Sequence, residues 1–127
     1  MKLGLQILLS ILSLIPLGFA VLGLWQGAAF YADPAGLTPR LENQFRYLSG
    51  VYLIVSMLLW YAIPNIERHF RLLAMVCAAL VIGGLGRLYV HVTMGPDDPG
   101  QFAGMLLELG SPLFLVWQQA IARSAAR

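Results

Sequence analysis

Four runs of about twenty or more mainly apolar residues, separated only by short stretches rich in Pro, Gly and charge, leave this 127-residue chain few ways to fold. About 20 apolar residues of helix cross the hydrocarbon core of a bilayer, and every backbone N–H and C=O inside it must be paired within the helix or in a closed barrel. Only 11% of the residues are charged and 59% are hydrophobic, whereas soluble domains carry roughly 25% charge. The runs therefore predict an all-α fold, an integral membrane four-helix bundle. It forms a single domain over 1–127 with helices over about 3–30, 40–63, 68–94 and 101–122. Little length is left over for a soluble domain.

The first run follows a lone Lys2 and is longer than the 7 to 15 residue apolar core of a signal peptide, so it reads as a helix. Pro16 interrupts it, a bend whose freed carbonyl neighbours must satisfy. Gln6, Ser10, Ser13, Pro16, Ala20, Gly23 and Gly27 recur at three or four residue spacing, the small and polar stripe on which membrane helices pack closely. The stripe points at the other helices; Gly23-x-x-x-Gly27 also fits a dimer seam. Asp33-Pro34-Ala35-Gly36 and Pro39 form a first turn, Pro64 and Asn65 break the second helix, and Gly95 to Gly100 forms another turn. Lys2, Arg68, Arg71, Arg123 and Arg127 fall on one side of a four-span chain. Arg40, Asp33, Asp97 and Asp98 fall on the other, so the Lys and Arg bias predicts both termini in the cytoplasm. Trp60, Tyr61, Phe70 and Trp117 would make an inner aromatic belt, and Phe30, Tyr31, Phe45 and Tyr47 an outer one.

Within this frame the intramembrane charges are the informative residues. An Arg at the middle of a membrane helix costs about 2.5 to 3.5 kcal/mol unless it is offset, and Arg87 lies in the longest apolar surroundings of the chain, beside Gly83-Gly84-x-Gly86. At 1.5 Å per residue, Arg87 and Glu108 each come about 10 Å inside the outer ends of their helices, and Arg46 about 9 Å inside its own. Glu42 lies one turn above Arg46, and His91 one turn above Arg87. Two Arg and two Glu make a nearly neutral set, with Glu108 pairing Arg87 and Glu42 pairing Arg46. The glycines beside Arg87 would let a helix or a ligand approach the backbone. Two uses fit such charges. They snorkel or rivet helix register, or they form a pocket in which Arg87, Arg46, Glu108, Glu42, Asn43 and His91 hold the oxygen-rich head of an apolar ligand.

Other chemistries find less support. The net charge of +2 comes without a basic run that could track phosphates, which excludes nucleic acid. His69 and His91 stand about 33 Å apart along one helix, too far for a shared metal or haem, so no metal and no cofactor is expected. A proton path would need polar groups in the inner half, where only Gln6, Ser10, Ser13, Gln118 and Gln119 occur. Cys77, alone in an apolar helix, reads as a small core residue.

Glu42-Asn43-x-x-Arg46-Tyr47-x-Ser49-Gly50, Gly83-Gly84-x-Gly86-Arg87 and Glu108-x-x-x-Pro112, in this order over nearly the whole chain, resemble the signature positions of the bacterial small membrane proteins grouped as domain of unknown function 4345. That family is similar in architecture to DoxX-like four-helix membrane proteins, some of them linked to quinone-using oxidoreductases. The resemblance implies a shared site at Glu42, Asn43, Arg46, Arg87 and Glu108, and no reaction. The leading expectation is a multi-pass inner-membrane protein whose outward-facing pocket binds an amphipathic small molecule or lipid head group. Its partner is then a membrane lipid or lipid-soluble molecule, with a homo-oligomer or a membrane complex also open. A membrane enzyme or quinone-linked redox component with Glu108 as acid or base and His91 as relay is the rival reading. An assembly subunit with purely structural charge pairs is the third.

Overall fold

The computed structural model describes residues 1–30, 33–95 and 99–127, with the side chain of Phe30 left aside; Tyr31 of the expected outer belt, and Pro96, Asp97 and Asp98 of the expected turn, lie outside the described residues. Those residues are all-α. The α-helices are α1 (Lys2–Gln26), α2 (Pro39–Ala62), α3 (Phe70–Met94), α4 (Pro99–Gly110) and α5 (Pro112–Ala125), with short 3-10 turns at Gly27–Phe30, Pro34–Gly36 and Ile63–Arg68. Three helical stretches are long and apolar enough to cross a membrane, and α4 with α5 would make a fourth if the bent pair is one span. Between 17% and 28% of the most apolar part of each long stretch is buried. Most of their hydrophobic surface thus faces outward, as in helices solvated by lipid.

The described residues group into two compact units, Gln6–Pro64 and Asn65–Arg127 with Met1–Leu5. In the first, local chemistry sets the helix ends. Thr38 caps α2 by accepting from the Leu41 N–H at 3.1 Å, and Pro39 occupies the first helical position, where its missing N–H costs nothing. Gly27, with φ +65°, supplies the left-handed residue that ends α1. Of the polar stripe of α1, Gln6 and Ser13 face α2, whereas Ser10 is exposed and donates to the Gln6 carbonyl of its own helix at 2.7 Å. Ser56 Oγ donates to the Ser13 carbonyl at 2.7 Å, Trp60 Nε1 donates to Ser13 Oγ at 2.9 Å, and Gln6 Nε2 donates to the Ile63 carbonyl at 2.8 Å, at the end of α2. Gly23 serves the same contact, since a Cβ there would overlap the Ser49 side chain. The Gly23-x-x-x-Gly27 pair is thus used inside the chain, for close approach to α2 side chains.

In the second unit α3 packs against both α4 and α5. The apolar run over 101–122, expected as one helix, is two helices bent by 41°. Pro112 is the cause. Its ring nitrogen cannot donate to the Glu108 carbonyl, and that carbonyl accepts instead from the Ser111 N–H at 3.3 Å. Contacts with α3 hold the bend, with Cys77 Sγ donating to the Ser111 carbonyl at 3.4 Å and Ser111 Oγ to the Cys77 carbonyl at 3.5 Å. Cys77 is buried. Farther along α5, Gln118 is wholly buried and donates to the Ile66 and Glu67 carbonyls at 3.0 and 3.2 Å. Lys2 Nζ pairs with Glu67 Oε2 at 2.9 Å.

Candidate functional site

Arg87 leaves α3 about two turns before Gly95, whose φ of +94° ends the helix. The bend before Pro112 lies just beyond Glu108, and at this level α4 comes close to α3 because Gly84 has no side chain. A Cβ on Gly84 would lie 3.0 Å from Leu109 Cγ and 3.2 Å from Glu108 Cβ. The close approach brings Arg87 Nε to 3.0 Å from Glu108 Oε2. Gln101, two turns before Glu108 on the same face of α4, accepts from Arg87 Nη1 through Oε1. The guanidinium is therefore held by α4 from two sides, through an ion pair with Glu108 and a hydrogen bond to Gln101, while no described residue takes Nη2.

This held guanidinium lines a partly open cleft of about 260 Å³, bounded by Gly86, Arg87, Val90, His91 and Gly95 from α3 and its end, and by Gln101, Phe102 and Met105 from α4. His91 and Phe102 stand with ring centroids 5.5 Å apart and planes tilted by 36°. The α3 wall thus carries a cation and an imidazole, the α4 wall adds the Gln101 amide, and the rest is apolar or backbone. Of the three glycines around Arg87, Gly84 admits α4 and Gly86 borders the cleft, while a Cβ on Gly83 or Gly86 would meet nothing within 4 Å. No three side chains able to hold a metal gather among the described residues.

Glu42 and Arg46 meet in the other unit and do different work. Arg46 Nε donates to Glu42 Oε2 at 3.1 Å, Arg46 Nη1 donates to the Leu24 carbonyl, and Glu42 Oε1 accepts from the Ala28 N–H at 3.1 Å. Leu24 belongs to the last turn of α1, whose carbonyls have no partner within the helix. A cation there also favours the helix dipole. Gly27 makes room for the clasp, because a Cβ on it would overlap Glu42 Oε2 and lie 2.8 Å from Arg46 Nη2. Asn43, one residue along α2 from Glu42, is exposed. The structure thus joins Arg87, Glu108 and His91 around one cleft, and joins Glu42 and Arg46 at the end of α1.

Sequence reasoning missed Gln101, Phe102 and Met105. A signal was present: Gln101, Met105 and Glu108 follow one another at four and three residues, a single helical stripe. Read from Glu108 toward the start of its helix, that stripe leads to the remaining wall of the cleft.

Fold and site together define an all-α protein with helices of membrane-spanning length and a guanidinium-lined cleft between two of them. More particularly, the chain belongs to the family described as domain of unknown function (DUF4345), which matches residues 4–119. No curated protein and no solved structure matches the chain.

Proposed function

We propose that this chain is a multi-pass membrane protein, with α4 and α5 together forming the fourth span, that binds an amphipathic small molecule or lipid by its polar head. The head sits against Arg87, His91 and Gln101, and Val90, Phe102 and Met105 take the apolar part next to it. Glu108 positions Arg87. Glu42 and Arg46 we assign to closing the end of α1, and Asn43 to neither task. Both termini then lie on the cytoplasmic side, where Lys2, Arg68, Arg71, Arg123 and Arg127 meet the Lys and Arg bias of membrane proteins.

The observation that carries this reading is the placement of Arg87. Although it is paired with Glu108 and Gln101, its guanidinium borders the cleft next to His91, whereas Arg46 is spent on Glu42 and on a backbone carbonyl at the end of α1. Costly ionisable groups placed in apolar helices and converging on an open cleft mark a site. Native mass spectrometry of the gently solubilised protein tests it. A small-molecule adduct is expected on the wild type and on a folded Arg46→Ala variant, and is expected to be lost from Arg87→Ala. A folded wild type without any adduct, or an adduct that survives Arg87→Ala, refutes the assignment.

A further inference from the structure

We infer that the head group recognised in the Arg87 cleft is uncharged and offers carbonyl oxygens, as in a ketone, ester or amide, and is not an anion such as a carboxylate or phosphate. The inference rests on the binding reading above and concerns the charge of the site. An arginine in an apolar cleft usually signals an anionic ligand. Here its charge is already answered, because Glu108 Oε2 lies 3.0 Å from Arg87 Nε and the Glu108 side chain is only 14% exposed. Gln101, the second partner, is neutral, and so are the apolar walls Val90, Phe102 and Met105.

An anion entering such a cleft gives up its hydration and meets a neutral pair, in which the attraction of the guanidinium is set against the repulsion of the nearby carboxylate. A carbonyl loses far less on leaving water and still gains a charge-assisted hydrogen bond from Arg87. The two partners of Arg87 strengthen this selection. Gln101 occupies Nη1 and the Glu108 carboxylate lies against Nε as an ion pair, and together they fix the guanidinium, so that Nη2 remains as a donor aligned in advance. One or two carbonyl oxygens match what is left, whereas a carboxylate or phosphate seeking the bidentate fork meets the Glu108 carboxylate 3.0 Å from Nε.

Matched probes of one chain length decide it: 2-undecanone and decanoate, added to the full-length protein in dodecyl maltoside at pH 8, above the usual imidazole range. Affinity is read from the ligand-dependent rise in melting temperature. Wild type is expected to bind the ketone at least tenfold more tightly than the carboxylate. Glu108→Gln leaves Arg87 uncompensated, and is expected to improve decanoate binding at least tenfold while changing the ketone little. Dioctanoylglycerol separates two sources of the same chemistry: tighter binding than the ketone assigns the carbonyl to a membrane lipid ester, weaker binding to a free carbonyl compound. Decanoate binding the wild type as tightly as the ketone overturns the inference while leaving the binding site in place. If no probe raises the melting temperature of the wild type, the binding reading falls with it. Should Glu108→Gln fail to fold, the ratio of the two affinities in the wild type still decides.

Discussion

Gly84 is where fold and site can be perturbed by the same atom. A methyl group there would stand 3.0 Å from both Leu109 Cγ and Cδ2 and 3.2 Å from Glu108 Cβ, inside the roughly 3.5 to 4.0 Å of an ordinary carbon contact. Overpacking of this kind costs about 1 to 3 kcal/mol, set against about 1 kcal/mol gained when Ala replaces Gly within a helix. Gly84→Ala is therefore expected to be neutral to about 2 kcal/mol less stable. Gly84→Leu, with three further carbons and no space for them, should exceed that range. Gly83 is the internal control, because a Cβ there meets nothing within 4 Å. Gly83→Ala is expected to keep or slightly raise stability. Thermal and denaturant unfolding in dodecyl maltoside gives the order directly, and native mass spectrometry adds a second readout. The displaced element is the stretch of α4 that carries Glu108, so under the proposed binding function Gly84→Ala should also weaken retention of the ligand. Equal stability of Gly84→Leu and Gly83→Leu would refute the claim that α4 is seated on α3 at this glycine.

Two further perturbations probe the ends and bends of the helices. Gly27→Ala places a Cβ residue at φ +65° and onto the Glu42–Arg46 pair, and is expected to destabilise by about 2 to 4 kcal/mol, from backbone strain of roughly 1 to 2 kcal/mol and the broken clasp. Unchanged thermal unfolding would show that the clasp contributes nothing. Pro112→Ala returns an N–H to the Glu108 carbonyl, and with arms of about 12 and 18 Å between positions 103 and 111 and between 111 and 123, straightening the 41° bend lengthens the span between them by about 2 Å. Spin labels on Ala103 and Arg123, both exposed, would report this by pulsed electron resonance, and an unaltered distance would mean that the Cys77–Ser111 contacts alone set the bend.

How much could be read in the sequence differs from residue to residue, for physical reasons. The long helices follow from apolar length, because a run that must pair all its own backbone groups has one local solution. Helix ends at Gly27, Thr38 and Gly95 are equally local: each is one residue whose backbone or side chain can do what its neighbours cannot. Pro112 was visible too, but its effect was not, since a proline in a membrane helix can leave a mild bend or divide the helix depending on what receives the freed carbonyl. Here the receiving groups are Ser111 and, through it, Cys77 on α3, a non-local contact that no window along the chain contains.

The two Arg–Glu pairs sharpen the point, because they look alike in sequence and differ in what surrounds them. Each Arg has a carboxylate within 3.1 Å, and each lies near the end of an apolar run. What separates them is the third partner. Arg46 finds a backbone carbonyl of α1 that is open only because Gly27 ends the helix there, so its hydrogen bonds complete a fold that would otherwise leave polar backbone unpaired. Arg87 finds a side-chain amide, Gln101, on the helix that already supplies its carboxylate, so its bonds hold the guanidinium in place without repairing any backbone. Charge spacing alone predicts both pairs equally; the backbone carbonyl beside one and the cleft beside the other are what set them apart, and the proposed division of roles rests on that difference.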